Sequence, residues 1–448
     1  MANDFDALAQ KLLKVAALAG ADAADVLLVD AKDVSIDVRD GTLEHAERSE
    51  SVDVGLRVFI GQQQACVSVS DIGDHTLEQM AERAVAMAKV APKDPHIGLA
   101  ETSQLAQNWD VDILELADDL DKPTPEMLQE TAQAAEAAAL AVSGVTKVLG
   151  ARSGWADTQI YLAASNGFSG GYRRTSFSTS CGAIAGEGLK MERDYSGEGR
   201  AHLTDMPDAQ GIGRLAGERA VAKYGAIKPP TGTYPVLFGE RISSTLIGHL
   251  LSAINGNSII RGSSWLKDAL GQQVLPKGID LFEDPARARV SGSKPFDAEG
   301  LPVAARNVVE GGVLTGWTLD LASARRLGMQ STGNAARGVG APPSPSAGNM
   351  TLLGGMKTRD QLISDMGTGL FVTGLIGSTI SPTTGDYSRG ANGFWVENGQ
   401  IMHPVNECTI AGNLHEMLIN MIPANDGQTH LARVIPSILI DTMVIAGA

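Results

Sequence analysis

Histidine is the scarce reactive side chain of this 448-residue sequence, with eight copies at positions 45, 75, 96, 202, 249, 403, 415 and 430. Catalytic zinc takes three protein ligands and keeps one position open for water. No two of these histidines stand four or five residues apart, so none pair on a helix in the way a zinc hydrolase needs. His415-Glu416 begins like a zincin helix, but Ile419 and Asn420 occupy the places where the second histidine would fall. Without that ligand Glu416 has no metal-bound water to activate. Gly167-Phe168-Ser169-Gly170-Gly171 matches the G-x-S-x-G nucleophile elbow. The elbow needs a strand, a turn and a helix, whereas both flanks here read as strands, so a glycine-rich hairpin turn is expected. Ser291-Gly292-Ser293-Lys294 matches S-x-x-K without its companion motifs and reads as a surface turn. No G-x-G-x-x-G or Walker A stretch signals a phosphate-cradling loop. Arg173-Arg174 and Arg325-Arg326 are isolated basic pairs, read as solvated surface because two charges make no nucleic-acid footprint.

Composition narrows the function classes. Lys and Arg number 36 against 52 Asp and Glu, a net charge of −16 that repels nucleic acid and anionic membranes alike. Aromatics at 4% leave little for stacking on single strands. The three cysteines, Cys66, Cys181 and Cys408, are too sparse for a disulfide framework and fit a reducing compartment. The N-terminal stretch places acids before its apolar residues and lacks the basic start of a signal peptide. The uncharged run from Met366 to Gly385 is broken by Gly, Thr, Ser and Pro, so it reads as strands and turns and not as a membrane span. A cytoplasmic protein is the expectation.

The elements that must position any site follow from periodicity. Phe5, Leu8, Leu12, Val15 and Ala16 recur at helical spacing. Short strands are expected at 26–29 and 34–38, with Asp40-Gly41 as a hairpin turn. Val52, Val54, Leu56, Val58 and Ile60 alternate as a half-buried strand, and Ala65, Val67 and Val69 repeat the pattern on the return. Thr76 and Gln79 suggest a capping box for a helix ending near Val90. A polar linker is expected near 93–122, then a helix opened by Thr124-Pro125, strands at 145–152, 157–164 and 172–180, and a helix from Asp208 to Tyr224. After Pro229-Pro230 the pattern gives a strand at 234–238, a helix from Gly239 to Ile254, a helix near 319–327, and otherwise strands and glycine turns to a last strand at 434–446. The fold class expected is α+β: an N-terminal α+β domain over 1–120, a central α+β domain over 121–228, and a large β-rich C-terminal domain over 229–448.

Several separated segments then resemble one family in order along essentially the whole chain. They are Leu56-Arg57-Val58-Phe59-Ile60-Gly61, Arg261-Gly262-Ser263-Ser264, Ser331-Thr332-Gly333-Asn334-Ala335-Ala336-Arg337, Gly369-Leu370-Phe371-Val372-Thr373-Gly374 and the run from Gly385 to Gly393. They resemble the TldD/PmbA family, and more closely its PmbA (TldE) branch. TldD-type members carry HExxxH and a C-terminal cysteine ligand. The matching stretch here is Ser244-Thr245-Leu246-Ile247-Gly248-His249, so the first histidine becomes Ser244, the general base becomes Thr245, and only His249 survives. No cysteine lies beyond Cys408. The resemblance therefore implies a subunit with no metal or catalytic residues of its own, zinc being expected in a TldD-type partner. It implies a cytoplasmic heterodimeric metalloprotease that cleaves unstructured peptides, in peptide-antibiotic maturation and antitoxin degradation, with a homodimer as the alternative assembly when the partner is absent. Peptide would be held on a strand edge after Leu370. The rival reading is a stand-alone binding or regulatory protein linked to DNA gyrase. A Ser244–His249 hydrolytic pair is disfavoured because positions five apart on a helix lie about 140° round from each other.

Overall fold

The computed structural model describes residues 5–448, so the first four residues of the N-terminal reading lie outside it. Six antiparallel strands make the first sheet: β1 (Ala23–Arg39), β2 (Thr42–Ile60), β3 (Gln63–Val69), β4 (Val145–Ala164), β5 (Ser169–Ala185) and β6 (Glu192–Arg200), in the order β3-β2-β1-β4-β5-β6. The short strands expected at 26–29 and 34–38 are one 17-residue strand, and those at 145–152 and 157–164 are one 20-residue strand. The polar residues taken as breaks point out of a long twisted ribbon, which pairs without interruption from Asp25 to Val38 with β4. Asp40 and Gly41 both have positive φ (53° and 72°), the type I′ geometry that joins two right-twisted strands.

Strand alternation gives the sheet two different faces. Val26, Leu28, Val54, Leu56 and Val58 pack beneath α1 (Phe5–Leu18) and α2 (Asp74–Val90). Farther along the ribbon, Ile36, Val38, Ala151 and Cys181 pack under α3 (Pro125–Leu140) and α4 (Ala209–Ala222). Thr124 caps α3 with Pro125 at its first position, as expected. The expected Thr76 capping box is absent: α2 begins at Asp74 after Gly73, and the Thr76 hydroxyl donates to Asp71 instead. The α3–α4 contact needs Gly213, because a Cβ there would lie 1.8 Å from the Ala135 carbonyl oxygen.

The opposite face of the sheet is covered by the C-terminal region, which holds the largest core. Its strands β7 (Gly232–Phe238), β14 (Gly369–Ile380), β15 (Asp386–Glu397), β16 (Gln400–Asn413) and β19 (Ile438–Ala446) form a ring in the order β16-β15-β14-β7-β19. It closes where Thr409–Ala411 of β16 pair with Val444–Ala446 of β19; β17 (Ile422–Pro423) adds to β19. A second sheet runs β10 (Val313–Leu314), β9 (Arg306–Glu310), β8 (Asp280–Glu283), β13 (Met350–Leu353), β18 (Arg433–Val434), beside a short pair β11 (Ala335–Ala336) and β12 (Ser344–Pro345). Helices α5 (Glu240–Ala253), α6 (Gly256–Ile260), α7 (Leu321–Leu327), α8 (Arg359–Met366) and α9 (Leu414–Ile419) fill the connections. The fold is α+β, with an N-terminal α+β region followed by a β-rich C-terminal one. No helix among the described residues is long and apolar enough to cross a membrane.

The expected linker at 93–122 is a strap. Leu105, Ala106, Leu114 and Leu116 are buried, and Trp109 meets Phe296 edge-on at 5.0 Å. Its apolar residues follow no period because it forms only two single turns of 3-10 helix, Thr102–Gln104 and Asp112–Leu114.

Candidate functional site

The stretch expected to be a degenerate metal motif lies on α5, whose Leu246, Ile247, Leu250 and Leu251 face the ring strands in a shared core. Ser244, Thr245 and His249 are half-buried. The Thr245 hydroxyl donates back to the Ile242 carbonyl at 2.7 Å, within its own helix. His249 meets the Tyr387 ring edge-on, 6.0 Å between centroids, and its Nε2 is buried with no hydrogen-bond partner. A Ser244–His249 relay through Nε2 is therefore not formed. Burial, reinforced by the Arg389 cation, holds the His249 imidazole below its ordinary value, so it is neutral at pH 7. Burial likewise pushes the Tyr387 phenol up to about 12.

This donor set does not fit zinc. Ser244 and Thr245 offer neutral hydroxyls where imidazole and carboxylate would be needed, leaving one imidazole. No three His, Cys, Asp or Glu side chains among the described residues gather in metal-binding geometry. Cys408 is buried, its Sγ 3.3 Å from the Ala391 carbonyl, and burial pushes its thiol up to about 11, away from the thiolate a metal requires. His415 and Glu416 are exposed on α9, with His415 against Trp265.

The other motifs prove to be joints. Ser264 of the Arg261–Ser264 stretch is buried and donates to the Ala253 carbonyl at 2.6 Å, tying down the end of α5. Arg57 and Arg337, each from a different family segment, converge on the buried carboxylate of Asp25. Arg57 Nε and Nη2 donate to Oδ2 at 2.7 and 2.5 Å, and Arg337 Nη1 donates to Oδ1 at 2.5 Å. Burial, the largest influence on Asp25, pushes its carboxyl up, but Arg337 and Arg57 together hold it below the usual carboxylate range. The close approach needs Gly55, where a Cβ would lie 2.1 Å from the Val339 carbonyl oxygen. Asp25 carried no signal in the sequence beyond being an acid within an apolar strand.

The G-x-S-x-G segment is the turn of the β4–β5 hairpin, with Gly167 at φ 96°. Its Ser169 hydroxyl shares a hydrogen-bonded cluster with Tyr161 and Asp6 of α1, at the end of a strand and not on a strand-to-helix elbow. The basic pairs are not solvated surface, contrary to expectation. Arg174 donates to the carbonyls of Ser291 and Ser293, and Arg325 to those of His96, Gly98 and Leu99, so both staple the N-terminal half to the C-terminal region. Arg173 pairs with Asp157 and Arg326 with Asp94. Within the S-x-x-K stretch Ser291 is exposed, but Lys294 reaches into the interface under the first sheet.

Three family models match in order: PmbA/TldA metallopeptidase domain 1 over residues 24–88, its central domain over 118–224 and its C-terminal domain over 231–447. The metalloprotease PmbA of Escherichia coli O157:H7 is 34% identical over 428 residues, covering 95% of this chain and 92% of that protein. A metalloprotease PmbA homolog of Haemophilus influenzae is 34% identical over 97% of this chain and 94% of its own, while the TldD homolog of that organism is 23% identical over 89% and 84%. The crystal structure of a Bacteroides thetaiotaomicron protein described as a modulator of DNA gyrase superposes with a TM-score of 0.92 at 26% identity, covering both chains fully.

Proposed function

Because the chain belongs to the PmbA/TldD metallopeptidase family, we propose that it is the subunit without a metal in a two-chain, zinc-dependent peptidase of the cytoplasm. A TldD-type partner supplies the zinc chemistry, and this chain completes the chamber in which unstructured peptides are cut. The donor set of α5 carries this reading: hydroxyls at Ser244 and Thr245 and a single imidazole at His249, with Nε2 buried against Tyr387. The greater identity to PmbA than to TldD relatives supports the same side of the pair.

Of the strand edges, β14 suits an extended peptide. It pairs with β7 only through Leu370–Val372, so residues 373–380 hold β15 on one side and present a free edge on the other. Such an edge binds main chain with little sequence preference. The rival, a regulator acting beside gyrase, draws support from the description of the Bacteroides relative, and the charge of −16 weighs against direct DNA contact.

Elemental analysis of the chain purified without chelator tests the metal assignment. Zinc well below one atom per chain is expected. Stoichiometric zinc that is lost in His249→Ala would overturn it.

A further inference from the structure

Between the first sheet and the C-terminal region lies a cavity of about 200 Å³ that none of the chemistry above uses. Its floor is apolar: Leu27 and Val29 of β1 with Ile160 and Leu162 of β4, and Phe296 beside them. These side chains share a face because Leu27 opposes Leu162 and Val29 opposes Ile160 in the ladder. The wall is cationic. Arg337 is 2% exposed; its Nη1 is engaged by Asp25, and its Nε is buried with no partner. Lys294 donates one bond, 3.3 Å to the Ala335 carbonyl, and forms no ion pair among the described residues. An ammonium has three hydrogens to give, so two remain for something else.

Two carboxyls complete the surroundings. Asp297, in the same wall, has its oxygens engaged by the backbone N–H groups of Glu299, Leu301 and Ala335. Glu299 accepts from Leu321 N–H. Burial pushes Glu299 up to about 8, with Asp297 adding to the rise, so it stays protonated at neutral pH and cancels no cation. Arg57 and Arg337 share the Asp25 carboxylate, and Lys294, which burial holds below its usual value, has Asp297 and Glu283 as carboxylate neighbours and ion-pairs with neither, so the wall keeps cationic donors to spare. Buried charge without a counter-charge is costly, and a bound anion removes the cost. The apolar floor calls for a hydrocarbon tail on that anion.

We propose that this cavity is a carboxylate site that takes an aliphatic α-carboxylate, its charge between Lys294 and Arg337 and its side chain on the Leu27–Ile160–Leu162 floor. The same chemistry reaches it from two sources: a free aliphatic amino acid, or the last residue of a peptide. The site is a property of this chain alone and does not rest on the partner reading.

Isothermal titration calorimetry on the full chain tests it, with N-acetyl-leucine, its neutral amide, free leucine and a pentapeptide ending in leucine as probes. N-acetyl-leucine is expected to bind at least about tenfold more tightly than the amide, since one charge-assisted contact is worth that much. Lys294→Met weakens it by a similar factor. Arg337→Met disturbs Asp25 as well, so Lys294→Gln and Arg337→Lys serve as the second pair, the lysine keeping the charge but losing the planar fork. Binding of the acetylated compound and the pentapeptide but not free leucine assigns the site to peptide C-termini; preference for free leucine assigns it to the amino acid. Equal binding of acid and amide, no binding of any probe, or binding unchanged in a folded Lys294→Met protein overturns the proposal.

Discussion

Replacing Asp25 by asparagine keeps the side chain's volume and removes its charge. The carboxylate accepts three bonds from two guanidinium groups, and the side chains of Arg57, Asp25 and Arg337 are 5%, 3% and 2% exposed. Neither arginine can escape by losing its proton. The neutral amide would leave two cations facing each other out of reach of water. Breaking a buried pair costs about 3–5 kcal/mol, most of it the penalty on the charge left behind. With two charges orphaned, the loss falls at the upper end, about 5 kcal/mol. The urea midpoint of the full chain reads it, with Glu50→Gln as control. Glu50 pairs with Arg48 on the exposed surface, so its removal leaves the midpoint nearly unmoved. The triple variant Asp25→Leu, Arg57→Met, Arg337→Met recovers most of the loss, because it removes the desolvation cost along with the attraction. A loss below about 1 kcal/mol in Asp25→Asn would show that this cluster does not clamp the sheet to the C-terminal region.

Glu299 gives a pH dependence. An unfolded glutamate titrates near 4.5 and Glu299 in the fold near 8, so between those values the unfolded chain binds fewer protons and stability falls as pH rises. Glu299→Gln flattens that slope and gains on the order of 3–5 kcal/mol relative to the native chain at pH 9; parallel curves for the two proteins from pH 5 to 9 would count against a protonated Glu299. His249→Ala costs on the order of 1–2 kcal/mol of stability through lost packing on Tyr387, while peptidase turnover of the reconstituted pair stays within about twofold. A large fall in turnover with assembly intact would make His249 a catalytic group.

What the sequence disclosed and what it withheld divide along a physical line. Alternation at Val54, Leu56 and Val58 announced a half-buried strand because the signal is local and every second residue must face the helices. Asp40-Gly41 announced its hairpin because few residues accept positive φ at both turn positions. The joints are another matter. Arg337 lies 312 residues from Asp25, and nothing near either one encodes the other. The strap at 93–122 passed for a linker because its buried leucines obey no period. Arg174 and Arg325 passed for surface charges because their partners are backbone carbonyls, which any sequence supplies. The α5 stretch stood out through resemblance alone: Ser244, Thr245 and His249 would otherwise be ordinary residues of an amphipathic helix.

Reconstitution decides whether this chain works as the metal-free half of a peptidase. Peptidase activity on one unstructured peptide is measured for this chain alone, for a zinc-loaded TldD-type chain alone, and for the two mixed, with light scattering after size exclusion on each sample. The expected result is no turnover from this chain, a stable mixed complex, and turnover that rises with the amount of this chain up to equimolarity. Full turnover by the TldD-type chain in its absence, or zinc-dependent turnover by this chain alone, would contradict it.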